Sequence, residues 1–122
     1  MSWYNLKMNS SKIRQLKKSD LEDIKVLFNQ LVKNPQDFNY FSQLDIQPMI
    51  DDPNCLCVVL EHKGKVVGFA SIVIFFTPVY GLKGRIEDVV IHSDYRGKGF
   101  GRKISQELIK IARKRKIKSV HL

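Results

Sequence analysis

The stretch Asp94-Tyr95-Arg96-Gly97-Lys98-Gly99-Phe100-Gly101-Arg102 places three glycines within five residues. Glycine permits left-handed backbone dihedrals and lets a ligand approach the main chain closely. Apolar residues recur at helical spacing directly afterwards, so the sequence predicts a helix over about 100–116. The first turn of a helix has N–H groups without partners and a partial positive charge of roughly half a unit. The pattern therefore predicts an anion-binding turn, most naturally for phosphate.

The residues before this turn predict a strand. Residues 85–91 read Arg-Ile-Glu-Asp-Val-Val-Ile, so the unit is a strand, a glycine-rich turn and an amphipathic helix. A mononucleotide P-loop has four residues between its first glycine and a Gly-Lys-Ser/Thr triplet, and a dinucleotide-binding turn has the spacing Gly-x-Gly-x-x-Gly. The turn in this chain has neither. It fits the pattern Arg/Gln-x-x-Gly-x-Gly/Ala through Arg96, Gly99 and Gly101.

The run from Ile86 to Gly101 resembles the central motif of the GNAT superfamily of N-acetyltransferases. The resemblance extends over about residues 12–122, and Ile86 to Val90 is also similar to the corresponding run of glucosamine-6-phosphate N-acetyltransferases. It implies an α/β (α+β) fold with a mixed, mostly antiparallel central sheet and helices on both faces. It also implies acetyl-coenzyme A (acetyl-CoA) as co-substrate, no metal, and an amine as the acceptor.

Length and composition indicate one domain of ordinary globular type. The chain has 122 residues, of which 43% are hydrophobic. Its longest apolar run, residues 70–76, is too short to cross a bilayer, and residues 1–7 lack the core of a signal peptide. A cytoplasmic protein is expected. Cys55 and Cys57 lie two apart on a predicted strand, so they are expected to pack in the core rather than form a disulfide or a zinc site.

The order of elements along the chain predicts a strand, a helix, a less regular stretch, three strands, a helix and a strand. Residues 1–11 are expected to be a lead-in and 12–122 the domain. Ser19 or Asp20 is expected to cap the first helix, and Asn34-Pro35 to end it. The predicted strands are 12–17, 55–61, 66–76, 85–91 and 117–122, with a possible broken helix at 38–52, a hairpin turn at Lys63-Gly64 and a loop at 77–84.

The positive charge is concentrated near the glycine-rich turn. Residues 96–122 contain ten basic residues and a single acid, Glu107, so this segment carries the whole formal net charge of +9. Such a cluster suits a multiply phosphorylated ligand such as coenzyme A. Two alternatives stay open: a solvated helix face and a nucleic-acid-binding surface. The cluster has no interleaved aromatic residues that would stack on bases, which disfavours nucleic acid.

The acidic strand supplies the candidate catalytic residue. Acetyl transfer to an amine requires a deprotonated amine, a stabilised oxyanion and oriented reactants. The resemblance implies Glu87 as the base, acting directly or through water. Strand alternation places Glu87 and Val89 on one face and Asp88 and Val90 on the other, so a single carboxylate is expected at the reaction centre unless a bulge changes the phase. Asp88 and Tyr80 are the candidate substrate-binding residues.

The resemblance also implies which residues hold the co-substrate. Backbone groups of the strand would bind the pantetheine arm, and the amides of the turn would bind the pyrophosphate. The cofactor-binding residues expected on this basis are Val89, Val90, Ile91, Arg96, Gly97, Lys98, Gly99, Phe100, Gly101 and Arg102. A surface or ion-paired role for Glu87, and a plain surface role for Lys98 and Arg102, are the alternatives.

The sequence stops at Leu122, where GNAT domains normally continue with a helix and two strands. That tail commonly supplies a tyrosine as general acid. The domain is therefore expected to be C-terminally short, as a fragment, as a natural short form, or as a sheet completed by a second protomer in a homodimer. The leading hypothesis is an N-acetyltransferase working by direct attack in a ternary complex, with a small amine, an amino sugar or a protein amine as acceptor. The alternatives are a non-catalytic or partner-completed acyl-CoA-binding half-domain and a basic nucleic-acid-binding module.

Overall fold

The structure, a computed structural model, describes residues 6–8, 10–32 and 41–121. Its strands are β1 (Leu6–Met8), β2 (Ser11–Gln15), β3 (Cys55–His62), β4 (Lys65–Thr77), β5 (Gly81–Ile91) and β6 (Ser119–His121). Its α-helices are α1 (Leu21–Leu31), α2 (Gln47–Asp51) and α3 (Phe100–Lys114). None of these helices is both long and apolar enough to span a lipid bilayer.

The described strands form one sheet in which spatial order follows chain order from β1 to β6. Every neighbouring pair is antiparallel except β5 and β6, which run parallel because α3 carries the chain back to the same end of the sheet. The β5–β6 pairing is short, joining Lys83, Gly84 and Arg85 to residues 119–121. The predicted mixed, mostly antiparallel sheet is therefore confirmed.

Both faces of the sheet are covered, as predicted. On one face, Ile104 and Leu108 of α3 pack against alternate residues of the central strands, such as Val58 and Ile72. On the other face, α1 and α2 cover a second cluster that contains Ile24, Leu27, Val59 and Phe69. The period-two alternation of β3 and β4 thus divides their side chains between two cores.

Several boundaries differ from the sequence-based expectations. The expected lead-in contains β1, which pairs with β2, and β2 itself begins at Ser11. Strand β5 begins at Gly81 rather than at residue 85, because residues 81–84 continue the ladder with β4. A broken helix was expected at 38–52, and the part at Gln47–Asp51 is helical. Residues 38–40 of that stretch, and Asn34-Pro35 at the expected end of the first helix, lie outside the described residues.

The expected capping residue of α1 has a different function from the one predicted. Asp20 stands at the N-cap position, but its side chain makes no capping hydrogen bond to α1. Its buried carboxylate instead accepts hydrogen bonds from the Arg14 guanidinium at 2.8 and 2.9 Å and from the Lys17 amide at 2.9 Å. Arg14 also donates to Glu61 of β3 at 3.0 Å, so this network joins β2, α1 and β3.

Candidate active site

A β-bulge in β5 brings the two acidic residues of that strand to the same side of the sheet. Glu87 pairs with Ser71 of β4 and Val90 pairs with Phe69, so two residues of β5 lie opposite a single residue of β4. Asp88 lies within this bulge and has a φ of 56°, in the left-handed region. Regular alternation was expected in this strand unless a bulge changed its phase, and that bulge is present.

The bulge changes which face each neighbouring residue occupies. Val90 packs in the cluster beneath α1, whereas Val89 packs against the α3 cluster. The expectation from regular alternation, that Val89 shares the face of Glu87, is wrong, because the extra residue shifts the phase of the strand by one. Glu87 and Asp88 consequently line the same cavity.

This cavity has a volume of about 330 Å³ and lies between the sheet and the α1–α2 side. Apart from the two carboxylates, its described walls consist of apolar side chains, two thiols and one hydroxyl, contributed by Phe28, Met49, Cys55, Cys57, Phe69, Ser71 and Val73. No lysine, arginine or histidine lies among the described residues that line it. The cavity is therefore apolar and carries negative charge at the bulge, an environment that suits a cationic amine.

Glu87 is held from its side chain and from its backbone. Its carboxylate forms an ion pair with Arg85 at 2.9 Å, and the two side chains are 44% and 56% exposed, respectively. An exposed pair of this kind stabilises a protein by about 0–1 kcal/mol, so it leaves Glu87 free to exchange partners. The Ser71 hydroxyl donates a hydrogen bond to the Glu87 carbonyl oxygen at 2.9 Å and fixes the strand next to the bulge.

Asp88 differs from Glu87 in that its carboxylate has no hydrogen-bond or ion-pair partner among the described residues. It also lines a second cavity of about 250 Å³ together with Phe28, Leu31, Val32 and Phe41. Both cavities are lined by Phe28 and Asp88, so the carboxylate lies where the two adjoin. Asp88 is exposed, so its carboxylate is solvated when no ligand is bound and is open to contact by a positively charged group.

The Cys57 thiol of the cavity is a poor nucleophile in this setting. The sulfur atoms of Cys55 and Cys57 are 3.7 Å apart and both cysteines are free in this structure. Burial, followed by the neighbouring Cys55, raises the pKa of the Cys57 thiol well above its ordinary range. Cys57 therefore remains a thiol rather than a thiolate at neutral pH and forms part of the wall. Within the described ranges, no three metal-binding side chains lie together.

The glycine-rich turn has the conformation that its residues predict. Gly97 and Gly99 both have a φ of 79°, and Gly99 is the N-cap residue of α3. A Cβ atom built on either glycine would meet no atom within 4 Å, so the space over the turn is open. Gly101 lies in the first turn of α3 and would carry a Cβ 3.7 Å from Ile91. Backbone N–H groups at the start of a 15-residue helix therefore face an unobstructed region.

Side chains of the turn separate into those that contact the fold and those that lie in solvent. The Arg96 guanidinium donates to the carbonyl of Ile91 at 3.1 Å and ties the turn to the end of β5. Phe100 is buried in the α3 cluster, so its backbone amide is the part available to a ligand. Lys98 and Arg102 are exposed, and Lys98 lies 5.8 Å from the centre of a tyrosine ring.

The edge of β5 beyond its short pairing with β6 is open within the described chain. The parallel ladder ends at Arg85, so Val90 and Ile91 have a strand partner on the β4 side alone, and Val89 lies in the bulge. Backbone polar groups on such an edge need partners. The acidic bulge, this edge and the glycine-rich turn follow one another along residues 87–101.

Among the candidate site residues, Tyr80 alone lies far from the acidic bulge, the edge of β5 and the glycine-rich turn. It lies in the turn between β4 and β5, is 64% exposed, and has the Lys83 ammonium 4.4 Å from its ring centre. Glu87 is seven positions further along the chain, a distance of roughly 23 Å at the usual rise of a strand. A substrate-binding role for Tyr80 stays a prediction from the sequence.

The sequence analysis did not identify the cavity walls. Phe28 and Met49 come from helices distant in sequence, and their apolar character by itself indicated core packing. A usable signal was present in the strands: the residues at 55 and 57 of β3 and at 69, 71 and 73 of β4 alternate onto one face. That alternation identifies a shared face, but it does not say whether the face is filled or hollow.

Comparisons with known proteins identify solved structures that are similar to this chain. Among solved structures, the chain is similar to an acetyltransferase from Trypanosoma brucei, with 30% identity and a TM-score of 0.71, covering 90% of this chain and 80% of that one. It is similar to a glucosamine-6-phosphate N-acetyltransferase from Arabidopsis thaliana, with 27% identity and a TM-score of 0.72, covering 92% and 80%. A transcriptional regulator from Bacillus halodurans, at 23% identity and a TM-score of 0.81 over 92% and 80%, shares the fold.

The model of the acetyltransferase (GNAT) family matches residues 19–122, which include α1, the acidic bulge, the glycine-rich turn and α3. The match extends over more than half of the chain, so the similarity is not confined to the glycine motif. The chain belongs to the GNAT family of acetyltransferases.

Proposed function

We propose that this protein is an N-acetyltransferase that moves the acetyl group of acetyl-CoA to a primary amine by direct attack in a ternary complex. The observation that carries the proposal is the bulge at Asp88. It directs two carboxylates into one apolar cavity, a few residues before an open helix N-terminus. An amine site and an anion site on adjoining segments are what this transfer requires.

The residues present fit acetyl-CoA. Amides from Arg96 to Arg102 would hold the pyrophosphate, since Gly97 and Gly99 leave the backbone unobstructed and a helix begins there. The exposed cations Lys98 and Arg102 add favourable charge. The open edge at residues 89–91 would bind the pantetheine arm through its backbone groups. The co-substrate supplies an acetyl thioester at the end of that arm.

Glu87 and Asp88 divide the handling of the amine between them. Asp88 would bind the incoming ammonium group, and Glu87 would accept its proton directly or through one water. The neutral amine nitrogen then attacks the thioester carbonyl, a C–N bond forms, the nitrogen releases its second proton to solvent, and the C–S bond breaks. The departing thiolate receives the proton from solvent or from an acid outside the described residues, so free coenzyme A and an acetamide result.

Binding is tested by calorimetric titration of the chain with acetyl-CoA, using two variants of one residue. Gly101 lies in the helix, and its Cβ would make only an ordinary contact of 3.7 Å with Ile91, so neither variant strains the backbone. We expect Gly101→Ala to bind within about threefold of the parent. Gly101→Glu places a negative charge at the helix N-terminus and should weaken binding about 100-fold or more, because it repels phosphate. Equal binding by both variants would reject this turn as the phosphate site.

Catalysis is tested separately by measuring free thiol released from acetyl-CoA in the presence of amines. Turnover that falls at least 100-fold in Glu87→Gln, with acetyl-CoA affinity retained, is the expected result. Binding without turnover for every amine would identify the chain as an acyl-CoA-binding half-domain instead. A cytoplasmic location and a homodimer stay predictions from the sequence, to be tested by fractionation and by sedimentation.

A further inference from the structure

The cavity beneath α1 provides few groups for a polyhydroxylated acceptor. The Ser71 hydroxyl already donates its proton to the Glu87 carbonyl, and apart from the Glu87 and Asp88 carboxylates the remaining described walls are apolar, thioether or thiol side chains. A sugar placed there would find hydrogen-bond acceptors at the two carboxylates alone, and its other hydroxyl groups would face carbon and sulfur. Buried polar groups without partners disfavour binding. The walls therefore suit an acceptor whose body is apolar.

The charge of the cavity disfavours an anionic acceptor. Its described walls contain Glu87 and Asp88 but no basic side chain, and the second cavity also has Asp88 as its one charged described wall. The Arg85 guanidinium bonds to Glu87 but lies outside the described walls. A phosphate or carboxylate in this space would meet two like charges and no basic side chain among the described walls.

The position of Asp88 indicates where an ammonium group would lie. Its backbone is held in the left-handed region by the bulge, and its carboxylate has no partner among the described residues. It lies where two aromatic-walled cavities of about 330 and 250 Å³ adjoin, one containing Phe69 and the other Phe41. The larger cavity is at the small end of the range of volumes for small-molecule sites, and the smaller one is below it.

We propose that the acceptor is a small primary amine on an apolar, unphosphorylated body, such as a 2-arylethylamine, with its ammonium group beside Asp88 and its body against Phe28 and Phe69. The inference rests on the proposed transferase function and narrows its acceptor. It distinguishes this chain from the glucosamine-6-phosphate N-acetyltransferase that it resembles, because a sugar phosphate requires a cation that the described walls do not provide.

The test compares 2-phenylethylamine, glucosamine and glucosamine 6-phosphate as acceptors at saturating acetyl-CoA, with thiol release as the readout. We expect kcat/KM for 2-phenylethylamine to exceed that for glucosamine 6-phosphate at least 100-fold. Glucosamine separates the effect of the sugar from that of the phosphate and should also be at least tenfold poorer. A preference for glucosamine 6-phosphate, or no acetylation of 2-phenylethylamine, would overturn the proposal.

The role of Asp88 is tested by Asp88→Asn, which keeps the shape of the side chain and favours the same left-handed backbone. The KM for 2-phenylethylamine should rise at least tenfold, while the KM for acetyl-CoA stays within twofold. The matched control is Glu22→Gln, which removes one negative charge from a side chain that is 83% exposed on α1 and lines neither cavity. An unchanged amine KM in Asp88→Asn would overturn the assignment.

The acceptor comparison and the acetyl-CoA titration together distinguish failure of the proposed acceptor from failure of the proposed transferase function. Acetyl-CoA that binds and is transferred to a sugar phosphate would reject the apolar acceptor and retain the transferase. A chain that fails to bind acetyl-CoA in the titration would reject both.

Discussion

Gly68 and Gly101 differ in whether the fold requires a glycine, and the space around each residue explains the difference. Gly68 is buried in β4, where an added Cβ would lie 2.8 Å from Ile91 Cδ1 and 3.2 Å from Leu60 Cβ. Gly101 lies in the first turn of α3, where the same atom would be at an ordinary contact distance from Ile91. The first glycine makes room for its neighbours, whereas the second does not need to be glycine for the fold.

The same substitution is therefore expected to change stability in opposite directions at these two sites. Gly101→Ala should raise the free energy of unfolding by about 0.5–1 kcal/mol, because alanine loses less backbone entropy than glycine in a helix. Gly68→Ala should lower it by about 1–3 kcal/mol, because Leu60 and Ile91 must shift. Urea unfolding of the two variants measures both values. A stabilising Gly68→Ala would contradict the packing seen between β3, β4 and β5.

At the scale of elements, the bulge is the feature of β5 that the sheet does not need. If Asp88 were removed, Glu87 could still pair with Ser71 and Val90 with Phe69, and Val89 would take the place opposite the intervening residue. The ladder would become regular while both core faces keep their side chains. A bulge that the fold can do without is the kind of irregularity that occurs next to active sites, which agrees with the site proposed at this position.

Deletion of Asp88 is accordingly expected to keep the fold and remove the chemistry. The free energy of unfolding should stay within about 1 kcal/mol of the parent, since a left-handed residue is lost and no buried contact goes with it. Acetyl transfer should fall about 100-fold or more, because the strand is no longer kinked beneath the cavity. Unfolding and turnover are measured on the same preparation. A regular strand with full activity would show that the bulge has no part in the site.

The Arg14 network is a second device at this scale, joining β2, α1 and β3. Burial opposes ionisation of Asp20, but hydrogen bonds from Arg14 and the Lys17 amide outweigh it and lower the pKa of this carboxyl. Desolvation likewise opposes ionisation of Glu61, and the bond to Arg14 again lowers its pKa. Depressed carboxyl pKa values stabilise the fold above their unfolded values of about 4, and this stability is lost as the pH falls through the folded values.

Arg14→Met should therefore destabilise strongly at neutral pH and less in acid. The expected loss at pH 7 is about 3–5 kcal/mol, because Asp20 stays buried without its partner. The gap between variant and parent should narrow below about pH 4, where the carboxyls become protonated. The control Lys12→Met removes the longer, more exposed contact of 3.5 Å to Glu61 and should cost under about 1 kcal/mol. Equal losses in the two variants, measured by urea unfolding across pH, would contradict the network.

At the scale of the whole molecule, the position of the net positive charge bears on which ligand the chain is expected to bind. The net charge of +9 resides in residues 96–122, the segment that contains the glycine-rich turn and α3. The described basic residues of α3 lie mostly in solvent, including Arg102, Lys110 and Arg113. A positive field around a phosphate site favours a multiply charged ligand and is weakened by salt.

Acetyl-CoA at 100 times its dissociation constant should stabilise the chain by about 2.7 kcal/mol and raise the unfolding midpoint by roughly 10 °C. The shift should decrease between 50 and 500 mM salt, whereas pantetheine, which lacks the phosphates, should show little dependence on salt. Thermal unfolding with each ligand measures both effects. Duplex DNA that stabilises the chain as much as acetyl-CoA would favour a nucleic-acid-binding function instead.

The sequence by itself determined the strand, the glycine-rich turn and the helix from residue 85 to 114, because these features depend on local spacing and on backbone freedom. Gly97 and Gly99 have the left-handed dihedrals that glycines permit, and α3 begins where the apolar period begins. The resemblance to GNAT proteins likewise predicted helices on both faces of the sheet. These parts of the site are read from neighbouring residues alone.

That Glu87 and Asp88 line the same cavity depends on how β5 pairs with β4, and it could not be predicted from neighbouring residues in the sequence. The bulge depends on the register between β5 and β4, and a one-residue shift of register leaves no trace in the composition of either strand. The walls come from Phe28, some 60 residues away in sequence, and from Met49, whose apolar character is equally consistent with a filled core. Pairing with β4 also started β5 at Gly81, because a strand extends as far as its partner continues to supply hydrogen bonds.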